Sequence, residues 1–326
     1  MKIAFVGKGG SGKTTLSSLF IRHLAATAAP VVAVDADINQ HLGAALGLDE
    51  AEAAGLPAMG ERLSLIKDYL RGSNPRIASA DTMIKTTPPG EGSRLLRVCE
   101  SNPVYEACAR TVELDGGAVR LMVTGPFTDA DLGVACYHSK TGAVELCLNH
   151  LVDGPGEYVV VDMTAGSDSF ASGMFTRFDI TFLVAEPTRK GVSVYRQYKE
   201  YARDFGVALK VVGNKVQGQG DLDFLRAEVG EDLLVTVGHS DWVRSMEKGC
   251  PPRFELLEDV NHRALRTLRS AADATYALRD WESYTRQMVH FHLKNAGSWG
   301  NERTGTDLAA QVDPGFVLGE GVVATA

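Results

Sequence analysis

Apolar positions along the 326-residue chain fall into two kinds of run that alternate. One kind is short and continuous, as in Ile3-Ala4-Phe5-Val6, Val31-Val32-Ala33-Val34 and Tyr158-Val159-Val160-Val161. Such runs suit strands buried on both faces. They predict strands near 2–6, 31–34, 119–124, 158–162, 180–185, 208–213 and 233–237. The other kind repeats at helical spacing and predicts helices near 13–28, 61–71, 141–151, 191–205, 221–229, 241–248 and 262–293. Alternating strand and helix implies an α/β fold, a mostly parallel doubly wound sheet of about seven strands flanked by helices. Residues 49–118 read as an insertion between the second and third strands, with Leu63, Ile66 and Leu70 on one helix face and a Pro- and Gly-punctuated loop over 72–93. From Asn295 onward the chain is Gly-rich and polar without periodicity. The expected organisation is therefore one domain over 1–294 and a mobile tail over 295–326.

Composition narrows the function classes. Hydrophobic residues make up 44% and charged residues 23%, as in ordinary globular proteins. A net charge of −8 argues against general attraction to nucleic acid or to an anionic membrane. No apolar run approaches a membrane span, and the N-terminus enters the first strand too soon for a signal peptide. The five cysteines, Cys99, Cys108, Cys136, Cys147 and Cys250, form no C-x-x-C pair. Reduced thiols in a cytoplasmic protein are expected, with Cys99 and Cys108 as buried thiols.

The candidate chemistry starts where the first strand ends. Gly7-Lys8-Gly9-Gly10-Ser11-Gly12-Lys13-Thr14 fits G-x-x-x-x-G-K-[ST] between a strand and a helix, the context of a phosphate-binding P-loop. Gly7, Gly9, Gly10 and Gly12 keep side chains away, so that backbone N–H groups, including that of Ser11, can surround phosphate oxygens. The helix beginning near Lys13 adds its positive end. Lys13 is expected on the β- and γ-phosphates and the Thr14 hydroxyl on Mg²⁺, with Thr15 next along the same helix. Asp35 and Asp37 close the second strand, and Asp162 closes Tyr158-Val159-Val160-Val161 as an apolar run ending in aspartate. Carboxylates at the C-terminal ends of parallel strands lie where such sheets bind ligands, and Asp162 is the second candidate for Mg²⁺. Asn214, followed by Lys215, offers both a donor and an acceptor suited to a purine edge.

Lys8 is not needed by an ordinary P-loop. Lys8-Gly9-Gly10-Ser11-Gly12-Lys13-Thr14 resembles the deviant Walker A motif of the MinD/ParA/nitrogenase iron protein class, and the later motifs follow in order through residues 1–260. The resemblance implies an ATPase of low intrinsic turnover that closes as a homodimer on ATP. Lys8 then crosses to the partner's nucleotide, Asp37 orients the attacking water, and Asp35 stands near the Mg²⁺ site. Asp162-Met163-Thr164-Ala165-Gly166 resembles the second switch, with Gly166 sensing the γ-phosphate. Asn214 corresponds to the residue that reads adenine, and Gly238-His239-Ser240-Asp241 takes the place of the loop that closes over the base.

Within this class the stretch from Gly125 to Leu151 is similar to the maturation factors of nickel carbon monoxide dehydrogenase, which carry Cys-x-Cys where this chain has Cys136-Tyr137-His138. Cys136 and His138 from two subunits would give a Cys₂His₂ set suited to Zn²⁺ or Ni²⁺. Two outputs remain open. One is a metal-insertion ATPase that matures a client enzyme. The other is a MinD/ParA-like regulatory or positioning ATPase that acts on a protein partner without metal.

Overall fold

The computed structural model describes residues 1–37, 39–126, 137–164, 173–250, 252–319 and 322, with the side chains of 137–140 outside that description. Eight strands build the main sheet: β1 (Lys2–Gly7), β2 (Val31–Ala36), β4 (Ala109–Leu114), β5 (Gly117–Val123), β7 (Tyr158–Met163), β8 (Ile180–Ala185), β9 (Ala208–Gly213) and β10 (Leu233–Thr236). Two short strands, β3 (Leu96–Arg97) and β6 (Leu151–Val152), pair separately. The order across the main sheet is β10-β9-β8-β1-β7-β2-β5-β4, and every neighbouring pair but β5–β4 is parallel.

The described helices are α1 (Lys13–Ala25), α2 (Leu42–Ala45), α3 (Glu50–Ala54), α4 (Leu63–Arg71), α5 (Pro103–Cys108), α6 (Tyr137–His150), α7 (Tyr195–Asp204), α8 (Gln219–Val229), α9 (Asp241–Glu247), α10 (Asp259–Tyr276), α11 (Trp281–Asn295) and α12 (Asn301–Thr304). Strand side chains alternate between the sheet faces. Ile3 and Phe5 therefore join a core with α1, α9 and α10, while Ala4 and Val6 join one with α4 to α8. Phe5, Phe20 and Phe182 meet at centroid distances of 5.4–6.3 Å, where each aromatic pair adds about 0.5–1.5 kcal/mol beyond its burial.

Four expectations are corrected. The insertion ends before 109–114, which turns at Asp115-Gly116 and pairs antiparallel with β5 as the eighth strand of the sheet. The helix expected over 262–293 is two helices, parted where Arg279 turns inward and Asp280 caps α11 through the Glu282 and Ser283 N–H groups. Residues 295–319 are not a mobile tail: Leu308 and Leu318 are wholly buried, and Gln311 bonds Thr82 and Thr87. Single anchors and side-chain hydrogen bonds hold this segment, which leaves no periodic signal. Cys108 is buried as expected, but Cys99 is exposed.

Arg279 joins a buried ionic cluster that ties the start of β1 to the α10–α11 corner. Asp153, fully buried, meets the Met1 ammonium at 2.5 Å, Arg279 at 2.7 Å and Lys2 at 3.7 Å. Arg279 also pairs with Asp179. Burial opposes the Asp153 charge, but the Met1 ammonium, Arg279 and Lys2 outweigh it and hold the carboxyl far below the usual carboxylate range. As pH falls, the unfolded chain protonates this group first, so its stabilisation is present above the unfolded value and is lost on acidification. Asp153→Asn is expected to destabilise by about 3–5 kcal/mol near neutrality, as for a broken buried pair. That difference should shrink below about pH 4, the ordinary aspartate range. Urea unfolding across pH checks this; a penalty that does not vary with pH would contradict it.

Candidate nucleotide site

β1 delivers the loop to the middle of the sheet edge. Gly7 leaves no space for a side chain, since a Cβ there would lie 2.6 Å from the Val184 carbonyl oxygen. The Ser11 N–H bonds back to the Lys8 carbonyl at 3.0 Å, and Gly9 and Gly10 lie exposed on the loop. Gly12, at φ +90°, caps α1, and its carbonyl accepts from the Leu16 N–H. Thr15 is half-buried in the first turn of α1. Spacing of Leu16, Leu19, Phe20 and Leu24 puts the apolar face of α1 on the sheet, so the helix start is fixed beside the strand ends.

Three carboxylates meet at that edge. β2 and β7 are adjacent and in register, which puts Asp35 directly opposite Asp162. Asp35 is fully buried and accepts from the N–H groups of Asp37 (3.1 Å) and Leu42 (2.9 Å), and so shapes the turn after β2. Asp162 accepts from the Thr14 hydroxyl at 2.6 Å through Oδ2, while its Oδ1 is buried without a hydrogen-bond partner among the described residues. Lys13 Nζ donates to Asp37 Oδ2 at 2.8 Å and lies 3.9 Å from Asp162 Oδ2. The other Asp37 oxygen accepts from the backbone and side-chain amides of Asn39 at 3.1 and 2.9 Å.

The electrostatics follow from burial and from one cation among three carboxylates. Burial, with Asp162 next to it, pushes the Asp35 carboxyl up to about 7. Burial pushes Asp162 up to about 6, although Lys13 opposes this. Asp37, also disfavoured by burial, is held below its ordinary value by the hydrogen bond and charge of Lys13. Burial works against the Lys13 ammonium, but Asp162 and Asp37 outweigh it and raise its pKa.

Asn214 and Lys215 brace the loop from β9. Asn214 Nδ2 donates to the Ser11 carbonyl at 2.8 Å. Lys215, at φ +59°, donates to the Gly10 carbonyl at 2.9 Å and pairs with Glu186. Lys8 is half-buried and lines a shallow cleft with Glu186, Thr188 and Lys190. His239 and Asp241 bond each other at 3.1 Å on the exposed surface. Gly166 and Cys136 lie outside the described residues; His138 falls in α6, with its side chain outside the description. Among the described residues no group of three or more His, Cys, Asp or Glu is arranged to hold a metal. Sequence reasoning missed Asn39 and Glu186. The first was legible, since an amide two residues after an aspartate commonly bonds it; Glu186 carries no local signal.

The arrangement can receive phosphates on the loop N–H groups and Lys13. It can receive a hard cation between the Thr14 hydroxyl and the unbonded Asp162 oxygen. Residues 3–236 match the family described as CobQ/CobB/MinD/ParA nucleotide binding domain, and the chain belongs to that family. It is 27% identical over 251 residues to an uncharacterized ATP-binding protein of Methanocaldococcus jannaschii, covering 76% of this chain and 88% of the relative. It is 24% identical over 250 residues to the carbon monoxide dehydrogenase accessory protein CooC of Rhodospirillum rubrum, covering 76% and 87%. The fold is that of the MinC:MinD cell division protein complex of Aquifex aeolicus, with a TM-score of 0.53 and 17% identity over 83% of this chain and 94% of the other.

At Gly12 an added Cβ would stand 2.2 Å from Asn214 Nδ2, in a left-handed conformation that costs an L-residue roughly 1–2 kcal/mol. Gly12→Ala should therefore lower the urea midpoint, and adding Asn214→Ala should recover the clash but not the backbone strain. A Gly12→Ala protein as stable as its parent would contradict this packing.

Proposed function

We propose that this chain is an ATP-driven switch that binds MgATP at the strand-edge cluster, closes on a second copy of itself and hydrolyses ATP to ADP and phosphate to reopen. The reading is carried by one observation: Lys13, Thr14, Asp37 and Asp162 converge beside a glycine loop, with an oxygen of Asp162 buried and unbonded among the described residues. Mg²⁺ held at Thr14 and Asp162 would neutralise charge on the β- and γ-phosphate oxygens. Lys13 exchanges Asp37 for phosphate. Asp37, kept in place by Asn39, is then free to accept a hydrogen bond from the attacking water and orient it. Asp35 holds the turn that carries Asp37, and Asn214 and Lys215 keep the loop in shape. Gly166 is assigned to the γ-phosphate, and Lys8 to the nucleotide of the second subunit, where a buried cation needs an opposing anion.

For the output we assign maturation of a metalloenzyme, with Cys136 and His138 from two subunits holding Ni²⁺ or Zn²⁺. The relationship to a carbon monoxide dehydrogenase accessory protein supports it. A MinD/ParA-like role on a protein partner is the second reading, supported by the likeness of fold to MinD. Binding to DNA through α7 is disfavoured, because Arg196, Lys199 and Arg203 each pair with a carboxylate.

Light scattering with MgATP tests the switch: the parent should dimerise, and Lys8→Ala should bind ATP yet stay monomeric. Full dimerisation of Lys8→Ala would remove the bridging role. Metal counted on the ATP-bound protein should reach about one per dimer, the stoichiometry of a shared four-ligand site. It should be lost in Cys136→Ser and His138→Ala. Unchanged metal in those variants would leave the partner-binding reading.

A further inference from the structure

A cavity of about 600 Å³ lies between α4, the turn at 81–85, the start of α6 and α12, apart from the strand-edge cluster. One wall, with Trp299 and Arg303, lies beyond the residues matched to the family. Its size is that of a small-molecule site. Leu63, Met83, Ile84 and Trp299 give it apolar walls, Lys67 and Arg303 bring two cations to them, and Asp81 brings one carboxylate.

The walls are built rather than loose. Ile84, Ala296 and Leu308 form a small buried core on which Trp299 packs. Gly300 lies so close to Leu308 that a Cβ there would stand 2.7 Å from Leu308 Cδ1. Trp299 Nε1 donates to Asn295 Oδ1 at 2.9 Å, and Arg303 sits over the Trp299 ring at 5.8 Å. Gln311 fixes the turn by bonding Thr82 at 3.2 Å.

The charges are left open. Lys85 on the wall is offset by Glu145 at 3.7 Å. Among the described residues neither Lys67 nor Arg303 has a side-chain hydrogen bond or a carboxylate within ion-pair distance. Burial, and then Arg303, lower the Lys67 pKa, and Asp81 offsets this only in part. An anion between the two cations would relieve both effects.

We propose that this cavity binds a small organic anion with a flat apolar body, its charge between Lys67 and Arg303 and its ring system against Trp299, Met83 and Ile84. The site is independent of the nucleotide. The probe is 1-anilinonaphthalene-8-sulfonate, titrated into the full chain and read by energy transfer from tryptophan. Its neutral relative N-phenyl-1-naphthylamine is the control for charge. One saturable site is expected, weakened by salt and not displaced by MgATP. Arg303→Met, at an exposed position that leaves folding intact, should weaken it about tenfold, which is 1.4 kcal/mol. Lys67→Met/Arg303→Met should weaken it further, and Trp299→Phe should remove most of the transfer while binding persists. No saturable site, equal affinity for the neutral probe, displacement by MgATP, or unchanged affinity in the double variant would each overturn the proposal.

Discussion

The structure around the loop depends on one electrostatic constraint: three carboxylates at the edge of two neighbouring strands, and one ammonium to balance them. The register of β2 against β7 sets Asp35 opposite Asp162, and nothing in a parallel sheet lets either move away. Burial disfavours the charged form of both carboxyls and is the main reason they are pushed upward; Asp162 adds to the effect on Asp35, and Asp37 to that on Asp162. Lys13 is the only cation that reaches the edge among the described residues, and it stands between Asp37 and Asp162. Leaving buried carboxylates unpaired is costly. A site of this kind is held together by its own ion pair until a stronger set of charges replaces it. In the proposed function, phosphate would supply anions for Lys13 and a divalent cation would supply charge for Asp162, each relieving a strain that the other would leave.

The rest of the fold keeps this edge in place. Both faces of the sheet are buried, so the strands cannot slip without exposing one core or the other. Gly12 allows Asn214 to reach the loop carbonyl, which ties β9 to the start of α1. At the opposite end of β1 the cluster of Met1, Lys2, Asp153, Asp179 and Arg279 anchors the same strand. The central strand is thus anchored by charge at its N-terminal end and held along its length by packing.

Much of this was legible in the sequence because it is local. A glycine-rich loop after an apolar run, and aspartates that end two others, need no knowledge of distant contacts. What escaped reading is set by tertiary partners. The edge strand β4 alternates Arg110, Thr111 and Glu113 with Val112, a weak pattern until the hairpin to β5 is seen. Arg279 looks like a solvent-facing helix residue, yet its side chain is buried and breaks the helix there. The segment after Asn295 is held by Leu308, Leu318 and Gln311, too sparse for any period. The bond from the Asn214 amide to the Ser11 carbonyl is likewise tertiary. These non-local parts include the C-terminal wall of the Trp299 cavity, where the chain extends beyond the matched nucleotide-binding region.

The most direct test of the charge-exchange account is the Lys13–Asp37 separation in crystals grown with Mg²⁺ and a non-hydrolysable ATP analogue. The Nζ to Oδ2 distance is 2.8 Å in this structure. The account predicts that this pair opens, with the Lys13 ammonium on phosphate oxygens and the Asp37 carboxylate turned toward water. An intact Lys13–Asp37 pair beside bound nucleotide would contradict it.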